Sequence, residues 1–172
     1  DPYKQALAML AMAAAGQEIP TAAVDSLESS QSAEGSWDDG FGTLDNADAT
    51  AMAVMALLAA GRSADDTAMA AAVDFLTTSQ ATEGGWSYGA GLPVSANSTA
   101  VVVQALIALG IDPTATDGAW AKAGRSPLDA LLAWQGESGA FQADFGDGPF
   151  DDFYSTVQAV PVAAGRALPP EG

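Results

Sequence analysis

A short pattern occurs three times in this chain and constrains its fold more than any other feature. The clearest copy lies at residues 75–86, where an apolar helix end is followed by a glutamine, a polar turn, a glycine and an aromatic residue. Two further copies lie at residues 27–37 and 131–141. The repeated residues are Gln31, Gln80, Gln135, Trp37, Trp86 and Phe141. The glutamines are 49 and 55 residues apart, and a period near 50 predicts stacked supersecondary units.

The segments around these turns predict seven helices of two alternating kinds. The predicted ranges are 3–15, 20–31, 46–60, 63–80, 99–109, 127–135 and 153–164. One kind is rich in alanine and ends at a glycine, whereas the other has mixed polarity and ends at the repeated glutamine. The glycines are Gly16, Gly61, Gly110 and Gly165. The helices at 46–60 and 99–109 are apolar on nearly all sides, which is typical of buried helices.

The alternation predicts an all-α fold of antiparallel helical hairpins in two concentric layers, with the alanine-rich helices inside. Ser63 is the predicted N-cap of the fourth helix, and Asn97 or Ser98 that of the fifth. No segment alternates between apolar and polar residues over the length of a strand, so no β-strand is predicted. We expect one domain over residues 1–167 and a proline-rich, linker-like tail over residues 168–172.

The composition excludes several classes of function. The chain has 5 Lys+Arg against 22 Asp+Glu, and its formal charge of -17 would repel nucleic acid. It has no cysteine and no histidine, which excludes thiolate nucleophiles, Ser-His machinery and the usual zinc sites. No apolar run is long enough to predict a membrane span. We predict no metal and no cofactor. Because the chain begins at Asp1 rather than at methionine, we expect a processed, exported protein.

The repeated pattern resembles the repeat of squalene and oxidosqualene cyclases and of protein prenyltransferases. The resemblance covers nearly the whole chain, with Phe141 in place of the third tryptophan. It implies an α/α toroid, either an open arc or a ring that another chain or domain completes. It also implies that the repeated glutamine and aromatic residues are scaffold, because a glutamine just beyond a helix end can bond the free carbonyls there.

The resemblance offers two enzymatic alternatives. The segment Asp65-Asp66-Thr67-Ala68 resembles the end of the acid motif of class II terpenoid cyclases, although its place at the start of an outer helix favours helix capping. Asp48, at the start of an inner helix, is the one candidate acid there. Prenyltransferase activity would need zinc ligands and a basic pocket for a diphosphate, which this chain does not supply.

Two clusters of carboxylates are candidate calcium sites, and solvated turns are the alternative. They are Asp38, Asp39, Asp45 and Asp48 in one turn, and Asp144, Asp147, Asp151 and Asp152 in another. Neither cluster has the EF-hand spacing.

Residues 158–166 add a second resemblance, to the close of the helical domain of transcobalamin and intrinsic factor and of bacterial exported relatives. That resemblance implies a non-catalytic module whose ligand lies at the rim, where the inner helices begin. The predicted ligand-binding residues are Asp45, Asp48, Trp86, Tyr88, Asn97, Ser98, Asp152 and Tyr154. The expected ligand is a small apolar molecule, a corrinoid such as cobalamin, or a protein partner. A terpenoid cyclase fragment and a structural repeat of a larger surface protein are the alternatives.

Overall fold

The computed structural model describes residues 1–43 and 45–169. These residues are mostly helical, as predicted, and they form seven helices and one small sheet. The helices are α1 (Pro2–Ala14), α2 (Thr21–Ser29), α3 (Ala47–Ala59), α4 (Thr67–Ser79), α5 (Ala96–Ala108), α6 (Pro127–Leu132) and α7 (Phe153–Ala163). Residues 170–172 of the predicted tail lie outside the described residues.

The prediction that the chain contains no strand was wrong. Strand β1 (Gln142–Ala143) pairs antiparallel with β2 (Phe150–Asp151), and the turn between them contains two glycines with positive φ, Gly146 and Gly148. Each strand has only two residues, so no alternating pattern could reveal it in the sequence.

The alanine-rich helices end at glycine, as the sequence predicts. Gly61 has φ 84°, and its N–H donates to the carbonyl of Leu58 at 2.9 Å. The next residue, Arg62, donates to the carbonyl of Leu57 at 3.0 Å. This pair of bonds is the Schellman motif, which satisfies the last carbonyls of a helix. The same two bonds occur at Gly16, Gly110 and Gly165.

Two predicted N-caps are corrected. The cap of α5 is Ser95, whose hydroxyl accepts from the N–H of Ser98 at 3.1 Å, so Ser98 lies inside the helix. The cap of α4 is Asp66 rather than Ser63. Ser63 and Asp66 instead form a local turn, in which the N–H of Ser63 donates to the Asp66 carboxylate at 3.0 Å. Serine and aspartate side chains often form such turns in place of helical hydrogen bonds. For this reason α4 begins later in the sequence than predicted.

The four alanine-rich helices form a row in the order α1, α3, α5, α7, and each of α2, α4 and α6 packs against a member of that row. Nearly every residue of α3 and α5 is buried, as their apolar character predicts. In contrast, α4 buries one stripe, Met69, Ala72 and Leu76. The difference follows from position, because α3 and α5 have row neighbours on both sides.

All four helices of the row begin at one side of the molecule, where Tyr3 of α1 lies close enough to Asp48 of α3 to be affected by its charge. The side chains of Asp48 on α3 and Asn97 on α5 are in contact there, and the start of α7 lies beside that of α5. The opposite ends, at Ala59, Ala108 and Gly165, line a common groove. We call the side with the helix starts the rim.

Candidate functional site

Two of the repeated glutamines, Gln31 and Gln80, bond their turns to another part of the chain. The Gln31 side-chain amide donates to the carbonyl of Gly35 at 2.9 Å, within its own turn, and to that of Ala68 on α4 at 2.8 Å. Gln80 repeats this arrangement with the carbonyls of Gly84 at 2.8 Å and Trp120 at 2.9 Å. Each of these amides therefore joins its own turn to a segment about 40 residues further along the chain.

The repeated tryptophans are fully buried and serve as scaffold. The indole N–H of Trp86 donates to the carbonyl of Leu76 at 2.8 Å, and its backbone N–H donates to the hydroxyl of Thr99 at 3.1 Å. Trp37 makes the equivalent bonds to Leu27 and Thr50. The only polar atom of each indole is thus used inside the protein, which leaves it unable to contact a ligand.

A cavity of about 660 Å³ opens at the rim. The turn before α5, the starts of α5 and α7, the β1–β2 hairpin and Trp134 form its walls. This volume falls in the range of small-molecule sites, and the walls are mostly apolar with a few polar groups, as is usual for such sites.

Five of the eight predicted ligand-binding residues line this cavity. They are Tyr88, Asn97, Ser98, Asp152 and Tyr154. The other three, Asp45, Asp48 and Trp86, are not among its lining residues. Asp45 instead accepts a hydrogen bond from the hydroxyl of Ser36 at 2.5 Å within the first turn.

Part of the cavity wall was not predicted from the sequence. The missed residues include Leu92, Pro93, Val94, Trp134, Ala143, Asp144 and Phe145. The hairpin brings Ala143, Asp144 and Phe145 to the rim, and the glycine-rich run 144–148 was the available signal for that turn. Trp134 directly precedes a repeated glutamine, and nothing in the local pattern separates it from scaffold.

The charge of the cavity has one sign. Among the described residues that line it, Asp144 and Asp152 are acidic and none is Lys or Arg. One oxygen of Asp152 accepts from the N–H of Ser155 at 2.6 Å, and one of Asp144 accepts from the N–H groups of Gly146 and Gly148 at 2.7 and 3.1 Å. Aromatic rings flank these carboxylates, namely those of Tyr88, Trp134, Phe145 and Tyr154.

Asp48 is a buried carboxyl next to the cavity. It is only 4% exposed, and its Oδ1 has no hydrogen-bond partner among the described residues. Its Oδ2 accepts from the Asn97 amide at 3.3 Å. Burial raises the pKa of Asp48 to about 7; the Ser98 hydroxyl offsets part of this rise, and the charge of Asp39 adds to it. An acid with this pKa holds its proton in a large fraction of molecules at neutral pH.

Asp39 and Tyr88 link the first turn to the second. The hydroxyl of Tyr88 donates to the Asp39 carboxylate, and the backbone carbonyl of Tyr88 accepts from the Asn46 amide at 2.6 Å. Burial alone would raise the pKa of Asp39, but hydrogen bonds from Tyr88 and from the N–H groups of Phe41 and Thr43 lower it to about 2. Burial and this same hydrogen bond raise the pKa of Tyr88 to about 12. Tyr88 is therefore held in place at one wall of the cavity.

The remaining acidic residues of the two turns mostly serve local structure. Asp38 accepts from the N–H of Gly40 at 2.7 Å, and Asp151 accepts from the hydroxyl of Ser138 at 2.6 Å. Within residues 1–43 and 45–169, no group of three or more Asp or Glu side chains could hold a metal ion. No helix in the same part of the chain is long and apolar enough to cross a membrane.

In comparisons with known proteins, no protein-family model matches the chain and no curated protein is significantly similar to it.

Proposed function

We propose that this chain is a non-catalytic binding module with the α/α-toroid architecture, as a ring or an open arc, and that its ligand occupies the rim cavity. The cavity itself is the observation that favours this function. It joins polar groups from three segments that are far apart in sequence, at the rim where the inner helices begin. We also propose that the module acts outside the cell or at its surface.

The walls favour a ligand with an apolar body and neutral or positively charged polar groups. Four aromatic residues supply flat apolar surface, and Asn97, Asp144 and Asp152 supply polar groups. Two carboxylates without a basic neighbour in the wall disfavour an anionic ligand. A corrinoid such as cobalamin, a large ring with amide groups around its edge, fits this description and is the first compound to test. A protein partner that inserts an apolar side chain is the alternative occupant.

The test is a titration of the folded chain with cobalamin, followed by visible absorbance and by calorimetry. We expect saturable binding that Tyr154→Ala weakens at least tenfold, since Tyr154 lines the cavity and its exposed ring is not needed for folding. Phe41→Ala is the matched control, because Phe41 is equally exposed and lies outside the cavity wall. No heat and no spectral change at saturating cobalamin would exclude the corrinoid. Equal weakening by both variants would exclude this cavity.

Asp48 favours a second candidate function, that of a terpenoid cyclase. A carboxyl that stays protonated near neutral pH can give its proton to an alkene or an epoxide. Its burial away from the cavity wall argues against contact with a substrate. Incubation with a polyprene substrate decides between the two, because a cyclase would form cyclic product and lose that activity in Asp48→Asn. If neither binding nor turnover is found, the structural repeat of a larger surface protein is the best remaining function.

A further inference from the structure

The last helix of the row exposes an apolar face. Phe153, Val157 and Val160 of α7 are 74%, 49% and 59% exposed, and they lie at the spacing that places residues on one side of a helix. Large apolar side chains gathered on one exposed helix face mark an interaction surface.

The other helices of the row show what this face is built to contact. Asn46, Ser95 and Asp152 cap α3, α5 and α7 in the same way, which aligns the three helices residue by residue. In this alignment the α7 face corresponds to Ala96, Ala100 and Val103 of α5 and to Ala47, Ala51 and Val54 of α3. All six of these residues are buried.

The next helix of the row covers this face in α5. Gln104 follows Val103 directly, and its side-chain amide donates to the backbone carbonyl of Gln158 on α7 at 2.8 Å. The exposed face of α7 thus corresponds to the face with which α5 packs on α7, the following member of the row. Its natural occupant is another helix of the same alanine-rich kind.

Among the residues that the structure describes, α1 is the other alanine-rich helix with an open face. Leu7 is 47% exposed, and Ala8 and Ala11 are exposed beside it. With Asp1 and Asn46 aligned as N-caps, these residues correspond to Met52, Ala53 and Ala56 of α3, which are buried. The open face of α1 therefore corresponds to the side on which a preceding helix of the row would pack. Apart from Leu7 it is lined by alanines, whereas the open face of α7 has large residues.

Charge also favours contact between these two faces. The formal charge of the chain is -17, yet neither α1 nor α7 contains an acidic residue. In contrast, the helices outside the row do, at Asp25 and Glu28 of α2, Asp74 of α4 and Asp129 of α6. The two end helices could therefore meet without bringing acidic helix faces together, and Lys4 near the start of α1 would come close to the acidic start of α7.

We infer that the chain associates head to tail with a second copy of itself, through the open face of α7 on one copy and that of α1 on the next. Such a contact is heterologous, so it leaves one free α7 and one free α1 at the ends of every open assembly. Association therefore continues beyond the dimer unless the copies close into a ring.

Sedimentation velocity of the full chain over about a hundredfold range of concentration tests this inference. We expect the average mass to rise with concentration. Val157→Glu and Leu7→Glu should each reduce the assembly to a monomer, because each places a charge in one of the two faces. Ala70→Glu on the exposed side of α4 adds the same charge away from both faces and should leave association unchanged. Far-UV circular dichroism checks that every variant is folded.

Mixing the two variants distinguishes head-to-tail contact from other modes. The Val157→Glu chain keeps an intact α1 face and the Leu7→Glu chain keeps an intact α7 face, so the mixture should form a dimer of one copy of each and nothing larger. A monomeric parent chain at every concentration would overturn the inference. Association that Leu7→Glu leaves intact would also overturn it, because that result indicates pairing of α7 with α7.

Discussion

The second and third copies of the repeated turn differ in the hydrogen bonds that their glutamines make. Gln80 is buried and donates to two carbonyls, one in its own turn and one at Trp120, 40 residues further along the chain. Gln135 is exposed and, among the bonds of the described residues, donates only to Gly139 in its own turn, at 3.0 Å. The bond within the turn is therefore common to both copies, and the bond to a later segment is what buries the glutamine.

Replacing the aromatic residue should cause the largest loss of stability. Trp86→Ala leaves a cavity in the core and an unpaired carbonyl at Leu76, so we expect the free energy of unfolding to fall by about 3–5 kcal/mol. Phe141→Ala should lower the free energy of unfolding by at least about 1 kcal/mol less. The ring of Phe141 has no N–H that could form a hydrogen bond, and the residue is slightly exposed. Urea unfolding followed by circular dichroism measures both. Equal losses would mean that the third turn is as important to the core as the second.

The glycines of the first and third turns offer a sharper comparison. Gly35 and Gly139 have nearly the same positive φ, 84° and 87°. A Cβ at Gly35 would lie 2.4 Å from the carbonyl oxygen of Ala71, whereas a Cβ at Gly139 would meet no atom within 4 Å. Gly35→Ala should cost about 3 kcal/mol, from strain and overpacking together, and Gly139→Ala about 1–2 kcal/mol from strain alone. Urea midpoints of the two variants test this, and similar midpoints would contradict the close packing of the first turn on α4.

Asp48 in α3 and Asn97 in α5 occupy equivalent positions. The substitution Asp48→Asn therefore makes the two helices identical at this position. Because the pKa of Asp48 is raised to about 7, the folded state holds this proton more tightly than the unfolded state. The contribution of Asp48 to stability therefore falls as pH rises from about 4 to about 7 and is level above that. We expect Asp48→Asn to stabilise the protein by roughly 2–4 kcal/mol at pH 8 and to have little effect at pH 4. A stability difference that does not change between these pH values would refute the raised pKa.

Truncating the glutamines should cause the smallest effects. Gln80→Ala removes two hydrogen bonds to carbonyls in a largely buried site, so we expect a loss of about 1–2 kcal/mol. Gln135→Ala removes one bond that solvent can replace, and a loss below about 0.5 kcal/mol is expected. Thermal unfolding of both variants gives the difference, and a larger loss for Gln135→Ala would contradict the role assigned to the second bond.

Most helices could be predicted from the sequence because their signals are local. The glycine stops, the alanine-rich core helices and the proline at the start of α6 all act within a few residues. The cap of α5 was missed because Ser95, Asn97 and Ser98 are all good caps, and only tertiary packing selects Ser95.

The cavity could be predicted only in part. Asn97, Ser98, Asp152 and Tyr154 were found because residues at the starts of equivalent helices meet at one rim, and Tyr88 was found as an aromatic residue of the turn before α5. Trp86 was wrongly paired with Tyr88 as flat surface for a ligand, because nothing in the turn shows that one ring points inward and the other toward the rim. Trp134 and the hairpin residues reach the cavity through long-range packing, which no local pattern reports.

The hydrogen bond from the Gln31 amide to the carbonyl of Ala68 has a consequence for how the protein unfolds. The amides of Gln31 and Gln80 each join two successive units. When one unit unfolds, the unit before it loses a hydrogen bond. Unfolding of one unit should therefore destabilise the unit that precedes it in the chain.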